Sequence, residues 1–130
     1  MTMDIFFQDP SEIPLPPVEV RIRSLRAEPW SDQRRVYIYL ELDPFQKRPN
    51  IEVVINDPEG REEARIDIVE TMVRKMEFTM HIRQPNLNSL YNVLATVFYA
   101  ELTTEIQGSH QEMELLNRKV VDTAQTTFNL

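Results

Sequence analysis

The 130-residue chain contains no cysteine, which excludes disulfides, thiolate metal sites and a cysteine nucleophile. Two glycines put the glycine-rich phosphate cradles, the P-loop and the dinucleotide fingerprint, out of reach. No apolar run approaches the roughly 18–20 residues of a membrane span. The opening "MTMDIFFQDP" carries an acid at Asp4 and an apolar run of only Ile5, Phe6 and Phe7, so it lacks the basic start and long apolar stretch of a secretory signal. No Asn-x-Ser/Thr acceptor occurs. Positive charge is in the minority, with 14 Lys and Arg against 21 Asp and Glu and a net charge of −7. A surface that displaces phosphate counterions needs the opposite balance, so nucleic-acid binding is not expected. The expectation is a soluble, cytoplasmic protein with no membrane association.

What is present is a 42% hydrophobic content, enough for one core in a single domain of this size. The apolar residues alternate with polar ones, the period of half-buried strands. "VEVRIRSL" puts Val18, Val20 and Ile22 on one face. "RRVYIYLEL" puts Val36, Ile38, Leu40 and Leu42 on one face and Tyr37, Tyr39 and Glu41 on the other. "NIEVVIN" repeats the pattern through Ile51, Val53 and Ile55, "EARIDIV" through Ala64, Ile66 and Ile68, and "KMEFTMHI" through Met76, Phe78, Met80 and Ile82. "LYNVLATVFYA" is apolar on both faces and reads as a central strand, and the Thr-rich "KVVDTAQTTFNL" closes the chain.

Turn clusters separate these runs: "EPWSDQ", "DPFQKRPN", "NDPEGR" and "RQPNLNS". Asp-Pro suits the start of a type I turn, and Gly60 stands where a positive φ would complete a hairpin. The predicted fold is an all-β, immunoglobulin-like antiparallel two-sheet sandwich of about seven strands, spanning residues 18–130 behind an extended Pro-rich lead-in over 1–17. "DIFF" in that lead-in could add a short edge strand.

One stretch carries a family resemblance. "LNSLYNVLATV" looks like the start of the sixth strand in immunoglobulin-like and fibronectin type III-like sandwiches, with Tyr91 at their tyrosine corner and Leu87 four residues earlier. "INDPEGREEARIDI" is similar to the third-to-fourth strand connection in bacterial members. The resemblance covers about residues 18–128. It lacks the Cys pair of antibody domains, and the only Trp, Trp30, lies in the first turn.

Residues 101–119, "ELTTEIQGSHQEMELLNRK", are irregular. Gly108-Ser109 fits a two-residue hairpin turn, while Ser109 with Glu112 fits a capping box that would start a short helix. Both readings leave Leu102, Ile106, Met113, Leu115 and Leu116 too apolar for a solvated loop.

Catalytic groups are sparse, and no enzyme activity, cofactor or metal is expected. His81 falls on the polar face of the fifth strand. His110 near Glu112 and Glu114 is one imidazole among flexible acids, short of the roughly four ligands of a structural site. Asp32, Asp57 and Glu59 read as solvated turn acids rather than a calcium loop, because no spaced Asp ladder is present. Tyr37 and Tyr39 could form a flat platform for carbohydrate, the alternative function.

If successive turns alternate between the two ends, one end gathers "DPFQKRP", "TMVRK" and residues 101–119. Lys47, Arg48, Arg74, Lys75, Arg118 and Lys119 then meet beside an apolar excursion. Phe45, Lys47, Arg48, Leu102, Ile106, Met113 and Leu116 are the candidate interaction residues. The expected role is a protein–protein interaction or assembly module, with self-association as a homodimer the simplest case.

Overall fold

A computed structural model describes the backbone of residues 12–107 and 110–130, and the side chains of 12–100 and 118–130. The DIFF segment and the Gly108-Ser109 pair therefore lie outside the described residues. Seven strands run in chain order: β1 (Ile22–Pro29), β2 (Arg35–Leu42), β3 (Asn50–Asn56), β4 (Glu62–Ile68), β5 (Lys75–His81), β6 (Leu90–Gln107) and β7 (His110–Asn129). They form two antiparallel sheets, ordered β1-β2-β5 and β4-β3-β6-β7. The all-β two-sheet sandwich read from the sequence is the architecture observed.

The alternating runs supply the inner faces. Val36, Ile38, Leu40 and Leu42 of β2 are fully buried and meet Ile51, Val53 and Ile55 of β3 and Tyr91, Val93, Ala95 and Val97 of β6. A fully buried aliphatic side chain contributes about 1.5–3 kcal/mol relative to exposure, so these positions dominate the stability of the sandwich.

The first strand departs from expectation. Residues 17–19 form a short 3-10 turn rather than strand, and Val18 faces solvent while Val20 is buried. Pro17 at the head of that turn explains the difference, since its fixed φ suits a first helical position and it has no N–H for a ladder. A bulge then falls between Ile22 and Ser24. The extra residue, Arg23, resets the alternation, so that Leu25 and Ala27 face the core after Ile22. Arg23 Nε donates to Asp43 Oδ1 at 2.6 Å, and Asp43 Oδ2 also accepts from the Arg21 amide at 2.9 Å.

The turns follow their chemistry. Gly60 has φ +84°, and Asp57 Oδ1 accepts from the amides of Glu59 and Arg61 at 2.9 and 2.8 Å. Tyr91 is fully buried, stacks on Phe128 with centroids 5.3 Å apart, and its hydroxyl accepts from the Asn86 amide at 2.8 Å. That hydroxyl bonds to the backbone of the "QPNLNS" turn, the contact a tyrosine corner makes.

The sandwich is clamped along its β1–β7 side, where the Ile22 amide donates to Asp122 Oδ2 at 2.8 Å. Along the β4–β5 side it stays open, and Ala64, Ile66, Ile68 and Phe78 are only partly buried there.

Candidate functional site: the arm end

Two strands outrun the body. The pairing of β3 with β6 ends at Asn50 opposite Phe98, yet β6 continues to Gln107 and β7 runs back from His110. The nine residues of β6 from 99 to 107 correspond to about 30 Å at roughly 3.3–3.4 Å per residue. The ladder between the two is continuous, with Leu102 opposite Leu115, Thr104 opposite Met113 and Gln107 opposite His110. The helix that Ser109 and Glu112 could have started is therefore absent, because residues 110–119 are strand. The result is a two-stranded arm. Register shifts at Val97/Phe98 and Tyr99/Glu101 mark its base, each with an extra residue on β7, the kind of bulge that increases local twist.

The arm rises from the end of the sandwich that also holds the 43–49 loop and the β4–β5 connection. Tyr99 Oη donates to the Lys47 carbonyl at 2.8 Å, and the Thr71 amide donates to the Pro49 carbonyl at 2.9 Å. Burial pushes the Tyr99 phenol up to about 12, so it remains a neutral donor at the arm's root. Arg118 lies 4.0 Å over the Phe98 ring and donates to Glu52 at 3.0 Å. Burial alone would raise the Glu52 carboxyl, but Arg118 and Arg65 together hold it below its ordinary value.

Phe45 requires a correction. It is half-buried against the core instead of standing free on an exposed turn. Leu15 of the lead-in pairs beside it, the Leu15 amide donating to the Pro44 carbonyl and the Gln46 amide to the Leu15 carbonyl, both at 2.9 Å. An aromatic in this loop therefore anchors the loop and lead-in to the body. Lys47 and Arg48 remain exposed, with Lys47 Nζ 5.8 Å from the Tyr99 ring. The side chains of Leu102, Ile106, Met113 and Leu116 lie outside the described residues, and only their places on the two arm strands are given.

Two of the six expected cations are neutralised internally: Arg118 by Glu52 and Arg74 by Glu12 and Glu41. Among the described residues, Lys47, Arg48 and Lys119 form no ion pair, while Lys75 acts with Arg74 and Arg23 on the Glu41 carboxylate.

The sequence reading put residues 71–75 at this end for their cations and did not use the apolar pair among them. Met72 and Val73 are 75% and 54% exposed, and Val69 beside them is also exposed. Their loop is nevertheless pinned. Buried Asn50 accepts from the Glu70 amide at 2.9 Å, and the Thr71 hydroxyl donates to the Val73 carbonyl at 2.9 Å. With the loop backbone already fixed, covering Met72 and Val73 costs little further backbone ordering. The signal in the sequence was "VETMV", a connection between strands with three apolar residues and no Gly, Pro, Asn or Asp.

The remaining candidates are dispersed. His81 is exposed. Asp32 and Asp57 cap separate turns, and among the described residues no three acidic or imidazole groups converge on a cation site. The Arg34 amide first, then the Arg35 side chain and amide, hold Asp32 down at about 2. Tyr37 and Tyr39 are half-buried and tied to acids, their hydroxyls donating to Glu77 and Glu41 at 3.0 and 2.7 Å. No helix among the described residues is long and apolar enough to cross a membrane.

Neither a protein-family model nor a curated protein matches the chain. Solved structures do. A β-glucuronidase from Bifidobacterium dentium superposes with a TM-score of 0.57 at 14% identity, covering 85% of this chain and 17% of that one. A β-glucuronidase from Parabacteroides merdae gives 0.54 at 13% identity, with 85% and 14% covered. A glycosyl hydrolase family 2 member from Bacteroides cellulosilyticus gives 0.53 at 14% identity, with 85% and 15% covered. The likeness is one of fold. This chain spans less than a fifth of each enzyme's length.

Proposed function

We propose that this protein is a non-enzymatic assembly module that self-associates through its arm end. The observation that carries the reading is the arm itself. A two-stranded ribbon standing alone in water is marginally stable at best, and this one carries Leu102, Ile106, Met113, Leu115 and Leu116 along its sequence. Burial against a second molecule would supply the stability that such a ribbon lacks by itself. Met72, Val73 and Val69 add apolar area at the same end, and Lys47, Arg48 and Lys119 place exposed cations at the arm's base that an acidic partner surface would meet. With a net charge of −7, a second copy of this chain offers such a surface.

The reading extends to the fold group. The strand order and the Tyr91–Asn86 bond support an immunoglobulin-like or fibronectin type III-like sandwich, a scaffold that serves many unrelated functions. The test is light scattering on the parent and on Met72→Asp and Leu116→Glu, with folding checked by circular dichroism. The parent should exceed the monomer mass and both variants should fall towards it. Folded variants that associate like the parent would remove the arm end from the contact.

A further inference from the structure

At the end opposite the arm, the outer surface of the three-stranded sheet holds a shallow depression of about 510 Å³ lined by Arg26, Glu28, Pro29, Trp30 and Tyr37. That volume lies within the roughly 300–1,000 Å³ common for ligand clefts. Its two aromatic rings, exposed Trp30 and half-buried Tyr37, are fixed. Trp30 is 42% exposed, and the Arg35 guanidinium stacks 3.9 Å from its ring centroid. Asp32 holds Arg35 in place through a 2.7 Å bond to Nε. Glu77 fixes the Tyr37 hydroxyl at 3.0 Å, and Arg26 is laid over the Tyr39 ring at 4.7 Å.

Two charged groups frame this floor. Among the described residues neither Arg26 nor Glu28 has an ion-pair partner, so a fork of donors and a carboxylate acceptor both face solvent beside the rings. A polyhydroxylated ring needs that combination: an apolar C–H face to lie on an aromatic surface, and a rim of hydroxyls that both donate and accept. A simple anion would meet Arg26 but be opposed by Glu28, and an apolar peptide would use neither. We infer that this depression binds a pyranose unit of a carbohydrate chain, with Trp30 and Tyr37 as the platform, Glu28 accepting from sugar hydroxyls and Arg26 donating to them. Prior fixing of the rings reduces the entropy lost on binding.

The site is independent of the arm end, so failure of either reading leaves the other standing. Trp30 is the only tryptophan, and its emission reports the depression directly. The intact protein is run on affinity gels containing soluble polysaccharides, laminarin and xylan as neutral probes and polygalacturonate as an acidic one. The polysaccharide that retards it is then titrated while Trp30 emission is followed. At least one probe should retard the parent and shift its emission. Trp30→Ala and Glu28→Gln should each weaken retention about tenfold or more, which is about 1.4 kcal/mol. Glu28→Gln changes an exposed side chain, and it keeps the test open if Trp30→Ala does not fold. Stronger retention on polygalacturonate than on the neutral probes, lost in Arg26→Gln, would add a sugar carboxylate to the Arg26 contact. No retardation on any probe, or retention unchanged in the folded variants, overturns the inference.

Discussion

Removing a single oxygen, in Tyr91→Phe, tests the corner that closes the end opposite the arm. Tyr91 is fully buried, and its hydroxyl is an acceptor for the partly buried Asn86 amide at 2.8 Å. Phenylalanine keeps the ring and its stacking on Phe128 at 5.3 Å, so packing is nearly unchanged. What is lost is one hydrogen bond, and a backbone donor is left without its acceptor. Such a loss costs about 1–2 kcal/mol, nearer the upper figure when the orphaned group stays out of reach of water. For a domain of this size about 1 kcal/mol lowers the melting temperature by roughly 3–6 °C. Urea unfolding and calorimetry on parent and variant should therefore show a midpoint shift with an unchanged slope. Truncation to alanine, which also opens a cavity, should cost about 3–5 kcal/mol. A Tyr91→Phe variant as stable as the parent would refute the role given to this bond.

Three further outcomes follow from local geometry. Gly60→Ala should destabilise by about 1–2 kcal/mol because φ is +84°; a Cβ there meets nothing within 4 Å, so a large loss would point to something other than backbone strain. Asp122→Ala should cost about 1–3 kcal/mol by orphaning the Ile22 amide that its carboxylate holds at 2.8 Å, whereas an unchanged midpoint in urea would show that the β1–β7 clamp contributes nothing. Acid should weaken the fold in a defined window: Asp32 is held at about 2, first by the Arg34 amide, and Asp57 is lowered first by the Arg61 amide. Groups depressed in the folded state stabilise it above the ordinary carboxylate value of about 3.9 and lose that contribution as pH falls through the folded value. Stability should decline between about pH 4 and 2, and less steeply in Asp32→Asn; equal slopes would contradict this.

Much of the body was legible because alternation encodes which face is buried. Val36, Ile38, Leu40 and Leu42 sit where the pattern put them, and Gly60 has the positive φ its turn required. Alternation fails where a bulge resets its phase, as at Arg23, and where a proline replaces strand with a helical turn, as at Pro17. It also says nothing of where a neighbouring strand stops, so the run of β6 beyond Phe98 was open to two readings until pairing was known. Phe45 was misjudged for a related reason: a loop aromatic beside two cations reads as exposed until Leu15 of the lead-in, which bridges to it, is placed. Residues 71–75 were placed at the arm end for their cations, but the outward hold on Met72 and Val73 depends on the Glu70 amide donating to Asn50 and the Thr71 hydroxyl donating to Val73, which local sequence does not specify.

Shortening the arm tests the central claim most directly. Residues 102–115 are replaced by Asn-Gly, which joins the paired residues Glu101 and Leu116 through a two-residue turn suited to hairpins. The body pairing of β6 with β3 and with the end of β7 is left intact. Sedimentation velocity over a range of concentrations then compares parent and shortened protein. The account predicts a parent that associates as concentration rises and a folded, shortened protein that stays monomeric throughout. A parent that remains monomeric at every concentration, or a shortened protein that associates as the parent does, would contradict it.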